Sequence, residues 1–365
     1  MSPATGPPPE CLLVALKGEH AVAVVDARET SVMGRLATGV GPHQVAMNPV
    51  LGWAVSANNG TDEAAGFSLS VMDPGRMRVV KTIALGDFPR PHGLAFVGSS
   101  PRIVVTSQRE SRSLVYDLRS GRVVREIPTL VEGAAFVVVG AGGSRAYVTS
   151  PESGYLAILD LDEGVLAARE LLGQSLGQPA LSPEGYELWI PDRDTDEVLV
   201  YDAVRRQLKG RIECSGGPVA VGFLPGRNLA AVACSRSSEV AFLHRAGWFE
   251  VSRVALGWAE EERLPGSGTP LTPVPFGLAV ADSGNEIFVS CPNADMVTVL
   301  VLVGGRGGTQ ANEIPPGPDW IRCRELSLFP PAFAVYIKAR LAVGEDPEGL
   351  AWYRPDAGTR RNAAK

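Results

Sequence analysis

Apolar residues in this chain alternate along short runs rather than recurring at helical spacing. One stretch shows the pattern cleanly: GAAFVVV (133–139), RAYVTS (145–150), YLAILD (155–160) and VLAARELLG (165–173) follow one another, divided by clusters of Gly, Ser, Asp and Pro. Period-two alternation, β-branched and aromatic residues and turn punctuation predict four consecutive strands. The third run of such a set keeps ending in aspartate, at Asp26, Asp73, Asp117, Asp160 and Asp202, spaced 47, 44, 43 and 42 residues apart. Two later runs, ending at His244 and Val301, have lost the acid. A period in the low forties made of four strands predicts an all-β chain folded as a β-propeller, one blade per repeat.

The first run of each repeat counts the blades. PHQVAM (42–47), PHGLAF (91–96), VEGAAF (131–136), GQPALS (177–182), PVAVGF (218–223), PFGLAV (275–280) and PEGLAW (347–352) make seven. The chain starts at ECLLVALKG, a second-strand type, and its last repeat unit is a first-strand type. The C-terminal strand is therefore expected to join the N-terminal three in one blade, which removes open sheet edges. The predicted organisation is a disordered lead-in over 1–10, a single seven-bladed propeller over 11–354 and a disordered tail over 355–365. Insertions interrupt the propeller at 56–68, 256–275 and 304–333.

Within these repeats stand YVTS (147–150), VVTS (104–107), VVKTIALG (79–86) and ARLAVGEDPEGLAWY (339–353). They resemble the repeats of the YVTN family of seven-bladed propellers, P-x-G-V-A, then Y-V-T-N, then V-S-V-I-D, over nearly the whole chain. The resemblance implies the fold. It leaves activity open, because propellers host unrelated functions. Members of that family are often exported, whereas MSPATGPPPE has neither a basic n-region nor an apolar stretch, so a cytoplasmic protein is expected.

Composition narrows the function classes. A net charge of −6 and no basic run interleaved with aromatics argue against nucleic acid as a partner. No window is apolar enough for a membrane helix. The five cysteines form no CxxC pair, which fits a reduced compartment; Cys234 and Cys291 occupy equivalent places in neighbouring repeats and are expected to be inert buried thiols. No GxSxG, HExxH or Walker pattern occurs, and GGRGG at 304–308 lacks the Lys and Ser or Thr of a phosphate loop.

Candidate chemistry concentrates at the residue after the first-strand proline, predicted to lie at the channel mouth. In chain order these residues are His43, His92, Glu132, Gln178, Val219, Phe276 and Glu348. Histidine beside histidine and carboxylate suits general acid and base work, since imidazole titrates near neutrality and a carboxylate tunes it. His43, His92, Glu132 and Glu348 are thus the catalytic candidates, with Gln178, Asp192, Arg109, Asn59, Phe276 and Trp258 as ligand contacts. No cofactor is evident. A divalent metal on His43, His92 and Glu132 is the alternative use of the same groups, though their spread lacks diagnostic spacing. The structural alternative is that each imidazole only bonds the loop of the next blade; His20, in a short turn, and His244, in place of a turn aspartate, are read as structural.

The expected partner is a small molecule, with 304–333 as a surface for a protein partner. Propeller enzymes similar in architecture include lactone hydrolases and lyases that open macrocyclic esters. The best expectation is an acid/base enzyme of that hydrolase or lyase type, and the alternative a non-catalytic ligand- or protein-binding scaffold.

Overall fold

The computed structural model describes residues 10–257, 272–304 and 333–354. Trp258, both ends of the chain, and most of the insertions at 256–275 and 304–333 lie outside the described residues. Two compact units are distinguished: Met1–Val148, Ile158–Ala168 and Val343–Lys365 in the first, Thr149–Ala157 and Arg169–Ala342 in the second.

Among the described residues, strands form seven four-stranded antiparallel sheets, the blades of a seven-bladed β-propeller. In the first unit, blade 1 holds β1 (Cys11–Leu16), β2 (Ala21–Asp26) and β3 (Ser31–Ala37). Blade 2 holds β4 (Pro42–Asn48), β5 (Trp53–Gly60), β6 (Ala65–Asp73) and β7 (Arg78–Ala84), and blade 3 holds β8 (Pro91–Phe96), β9 (Arg102–Ser107), β10 (Arg112–Asp117) and β11 (Arg122–Pro128). Blade 4, whose residues divide between the units, runs through β12 (Phe136–Val139), β13 (Arg145–Thr149), β14 (Tyr155–Asp160) and β15 (Val165–Leu171).

The second unit contains blade 5, β16 (Ala180–Leu181), β17 (Glu187–Asp192), β18 (Glu197–Asp202) and β19 (Gln207–Glu213). Blade 6 is β20 (Pro218–Phe223), β21 (Leu229–Cys234), β22 (Glu239–His244) and β23 (Phe249–Ala255). Blade 7 is β24 (Leu278–Val280), β25 (Glu286–Cys291), β26 (Met296–Gly304) and β27 (Phe333–Ala342). The last strand, β28 (Pro347–Tyr353), pairs antiparallel with β1 and completes blade 1, as the order of strand types predicts.

The second and third strands are the buried ones; every residue of β1 and β21 is buried. Apolar side chains of neighbouring blades meet in continuous clusters, such as Val55, Leu69 and Ile83 with Leu94, Ile103 and Leu114 in the first unit. Among the fourth strands, β11 is largely exposed and β15 alternates exposed and half-buried positions, as expected for an outer edge. The recurrent aspartate closes the turn after the third strand. Asp26, Asp117, Asp160 and Asp202 each accept two backbone N–H bonds from residues two and three positions on. Where the repeat has His244 instead, its Nδ1 accepts the Gly247 N–H at 3.0 Å.

The insertion at 56–68 differs from the sequence expectation. It is not an enlarged loop but a longer hairpin: β5 and β6 pair out to Asn58↔Ser68 and Gly60↔Ala65. Polar side chains hold it, with Asn58 Nδ2 donating to Ser68 and Ser70 hydroxyls at 2.9 and 3.0 Å. The apolar alternation that signals a strand is therefore absent there.

Candidate functional site

Four of the seven first strands begin at their proline: β4, β8, β20 and β28. In each, the residue after the proline sits in a β-bulge. Pro91 pairs with Ser107 but Leu94 with Val105, so His92 and Gly93 face one residue on β9. Pro347 pairs with Leu16 and Leu350 with Val14, which places Glu348 and Gly349 opposite Ala15 alone. His43 is the extra residue between Pro42↔Asn58 and Gln44↔Ala57. A bulge lifts its residue out of the ladder and re-aims the side chain, and that is how three polar side chains of the first unit come together.

They form a chain of contacts with Lys17, the residue after β1. Lys17 donates its backbone N–H to Asp346 O at 3.0 Å, and its ammonium lies 3.2 Å from Glu348 Oε1. Glu348 Oε2 is 3.0 Å from His43 Nε2. The His43 and His92 rings pack with centroids 3.9 Å apart at 41°. His92 Nδ1 lies 3.2 Å from Ala135 O, and Phe136 meets its ring edge-on at 5.1 Å. His43, His92 and Glu348 are 8%, 3% and 7% exposed.

The Ala135 carbonyl accepts only, so His92 carries its proton on Nδ1 and its lone pair on Nε2. The same carbonyl accepts from Thr106 Oγ1 at 2.6 Å, and that hydroxyl takes the Gly93 N–H at 2.8 Å. Burial pushes the His92 pKa well below the ordinary imidazole value, the charges of His43 and Lys17 add to it, and the Ala135 bond opposes it. His92 is therefore neutral at pH 7. For Glu348, burial pushes upward, but the charges and hydrogen bonds of His43 and Lys17 together outweigh it and the carboxyl is held below its ordinary value. The cluster is a buried carboxylate between an ammonium and an imidazole, beside a second, neutral imidazole of fixed tautomer.

Other sequence candidates fall elsewhere. Glu132 is exposed and precedes β12, and the charges acting on His92 are those of His43 and Lys17. The expectation that Glu132 starts a strand at the mouth of the site fails because Leu130 and Gly133 are left-handed (φ 53° and 63°), so the extended run begins only at Phe136. Asn59 ties its hairpin to the head of β8, donating to Pro91 O and facing Arg90, both at 3.4 Å. Arg109 is exposed in the turn after β9.

Gln178, Asp192 and Phe276 belong to the second unit. Asp192 is buried and accepts the N–H groups of Gln174, Ser175 and Asp194, which makes it a turn anchor. Gln178 bridges Ala220 through its backbone, and Phe276, half-buried, donates its N–H to Ser290 O. Among the described residues no group of three or more His, Cys, Asp or Glu is placed to hold a metal ion.

The sequence patterns do not single out Thr106 or the Ala135 carbonyl. The signal for Thr106 lay in the threonine of the VVTS and YVTS strings. Thr149, its equivalent, donates in the same way to Gly177 O at 2.8 Å.

No family model matches the chain, and no curated protein matches it. Among solved structures the chain is similar to hydrazine synthase of Kuenenia stuttgartiensis, with a TM-score of 0.64 and 17% identity over 82% of this chain and 98% of that one. The likeness is one of fold. Seven-bladed propeller architecture is what the two share, and the site must be argued from its own residues.

Proposed function

We propose that this chain is a propeller of the YVTN type that binds a small molecule beside His43, His92 and Glu348 and acts on it by acid/base chemistry, opening an ester or lactone as a hydrolase or lyase does. The observation that carries the reading is the packing of a neutral, tautomer-fixed His92 at 3.9 Å from an imidazole paired with a carboxylate. His92 Nε2 takes the proton of the attacking water or of the substrate carbon. His43, whose Nε2 lies 3.0 Å from Glu348 Oε2, supplies a proton to the leaving oxygen. Lys17 fixes the carboxylate from its other side. The reaction needs no cofactor, so turnover is expected to survive a metal chelator.

One observation favours a second reading, a binding module without turnover: each of the three residues is less than a tenth exposed, so a large substrate has little to touch. A panel of small esters and lactones, followed both by thermal shift and by product release, separates the two, since a ligand that binds only the native state raises its stability. Binding with consumption supports the enzyme, binding without consumption the module, and neither in the presence of the full panel overturns both.

A further inference from the structure

We propose that Cys214 and Cys234 are a redox pair that a peroxide closes into a reversible disulfide. Sequence equivalence pairs Cys234 with Cys291, but the structure pairs it with Cys214, twenty residues away in the chain, at a sulfur separation of 3.8 Å. Cys234 ends β21; Cys214 follows β19 and is tied by its N–H to Asp196 O at 2.8 Å. A disulfide needs about 2.05 Å between sulfurs, so the two must close by less than about 2 Å in all, a shift side-chain rotation and small backbone movement supply.

The two sulfurs sit in an apolar cluster with Trp189, Val198 and Val232, and one cation approaches its edge. Arg253 donates to Ser215 O at 2.8 Å, beside Cys214, and is held there by Glu250 and Glu239. The contact between the sulfurs lowers the Cys234 thiol, burial opposes it, and Arg253 adds to the lowering; the same contact, with burial, raises Cys214. Cys234 is the attacking sulfur and Cys214 the resolving one. Cys11 and Cys291, pushed up to about 12 chiefly by burial, are free thiols with no sulfur so placed among the described residues and serve as internal controls.

Both sulfurs are fully buried, which selects a small uncharged oxidant over a bulky disulfide. With hydrogen peroxide the Cys234 thiolate attacks one oxygen, the O–O bond breaks, and a sulfenic acid and hydroxide result. The Cys214 sulfur then attacks the sulfenic sulfur, the S–S bond forms as the S–OH bond breaks, and the hydroxyl leaves as water with the Cys214 proton, while the hydroxide takes up a proton from solvent. One peroxide becomes two waters as two thiols become one disulfide.

The test exposes the reduced full chain to hydrogen peroxide, alkylates it in denaturant and maps the peptides by mass. The expected product is a Cys214–Cys234 bridge, two hydrogens lighter than the dithiol and reversed by dithiothreitol, with Cys11 and Cys291 alkylated and the oxidised protein melting at a higher temperature. In C214S a dimedone adduct is expected at Cys234. Recovery of both thiols alkylated from the wild-type chain, or a bridge from either to another cysteine, overturns the proposal whether or not the variant folds.

Discussion

His92 is the residue on which the acid/base reading turns, and its burial has a thermodynamic consequence. Its native pKa is lowered below 6.5, so on acidification the unfolded chain takes up a proton there before the native one does. Stability is lost as pH falls from about 6.5 toward the native value, by at most about 1.4 kcal/mol per pH unit for one group. Urea unfolding of wild type and H92N between pH 7 and 5 should show this limb in the wild type and a shallower slope in the variant; equal slopes would show that His92 is not held neutral. Glu348 is also lowered, so the stability it contributes is present above the ordinary carboxylate pKa and disappears as pH falls through the native one. E348Q should cost about 1–3 kcal/mol at pH 7, because it leaves Lys17 and His43 without their counter-charge, and the deficit against wild type should shrink below about pH 4. A deficit that does not depend on pH would point to packing instead.

At the scale of strands, the repeated P-x-G is explained by blade-to-blade approach. A Cβ on Gly93 would stand 2.3 Å from Ala135 O, and one on Gly349 would stand 2.5 Å from His43 O. G93A and G349A should each cost about 1–3 kcal/mol by overpacking and displace His92 or Glu348 from its partner, read as a lower melting temperature and an altered His92 imidazole nitrogen signal. A normal melting temperature in both would refute the steric account. The threonine of the VVTS and YVTS strings has a matching role, its hydroxyl bonding the carbonyl ahead of the next blade's first strand. These motifs were legible as repeats in the sequence, but their purpose was not, because it depends on a neighbouring blade about 40 residues on in a period of the low forties. The same limit hid the hairpin at 56–68, where Ser and Asn bonds replace the apolar alternation by which strands are recognised.

For the whole molecule, blade number, strand order and completion of blade 1 by β28 were readable from periodicity, since strand alternation and turn residues are local properties. The position after the proline was readable as a set of candidates, of which the fold joins His43, His92 and Glu348. Glu132, Gln178 and Phe276 precede their strands, Glu132 in a turn and Gln178 in an isolated bridge to Ala220. Sequence equivalence also pointed Cys234 toward Cys291, whereas the chain entering the next blade brings Cys214 beside it. Removing residues 347–354 should unfold blade 1, as β1 would lose its partner and the site its carboxylate; a folded, monomeric truncation would contradict the role given to β28. Acid/base catalysis is the activity proposed for the site. Its most direct test is turnover of an ester and lactone panel by wild type and by H43N, H92N and the double variant, each first shown to fold by circular dichroism. The account predicts that at least one compound is consumed by the wild type and that the rate falls by about 10²–10⁴ in H92N and in the double variant; undiminished turnover in the double variant, or none in the wild type, would contradict it.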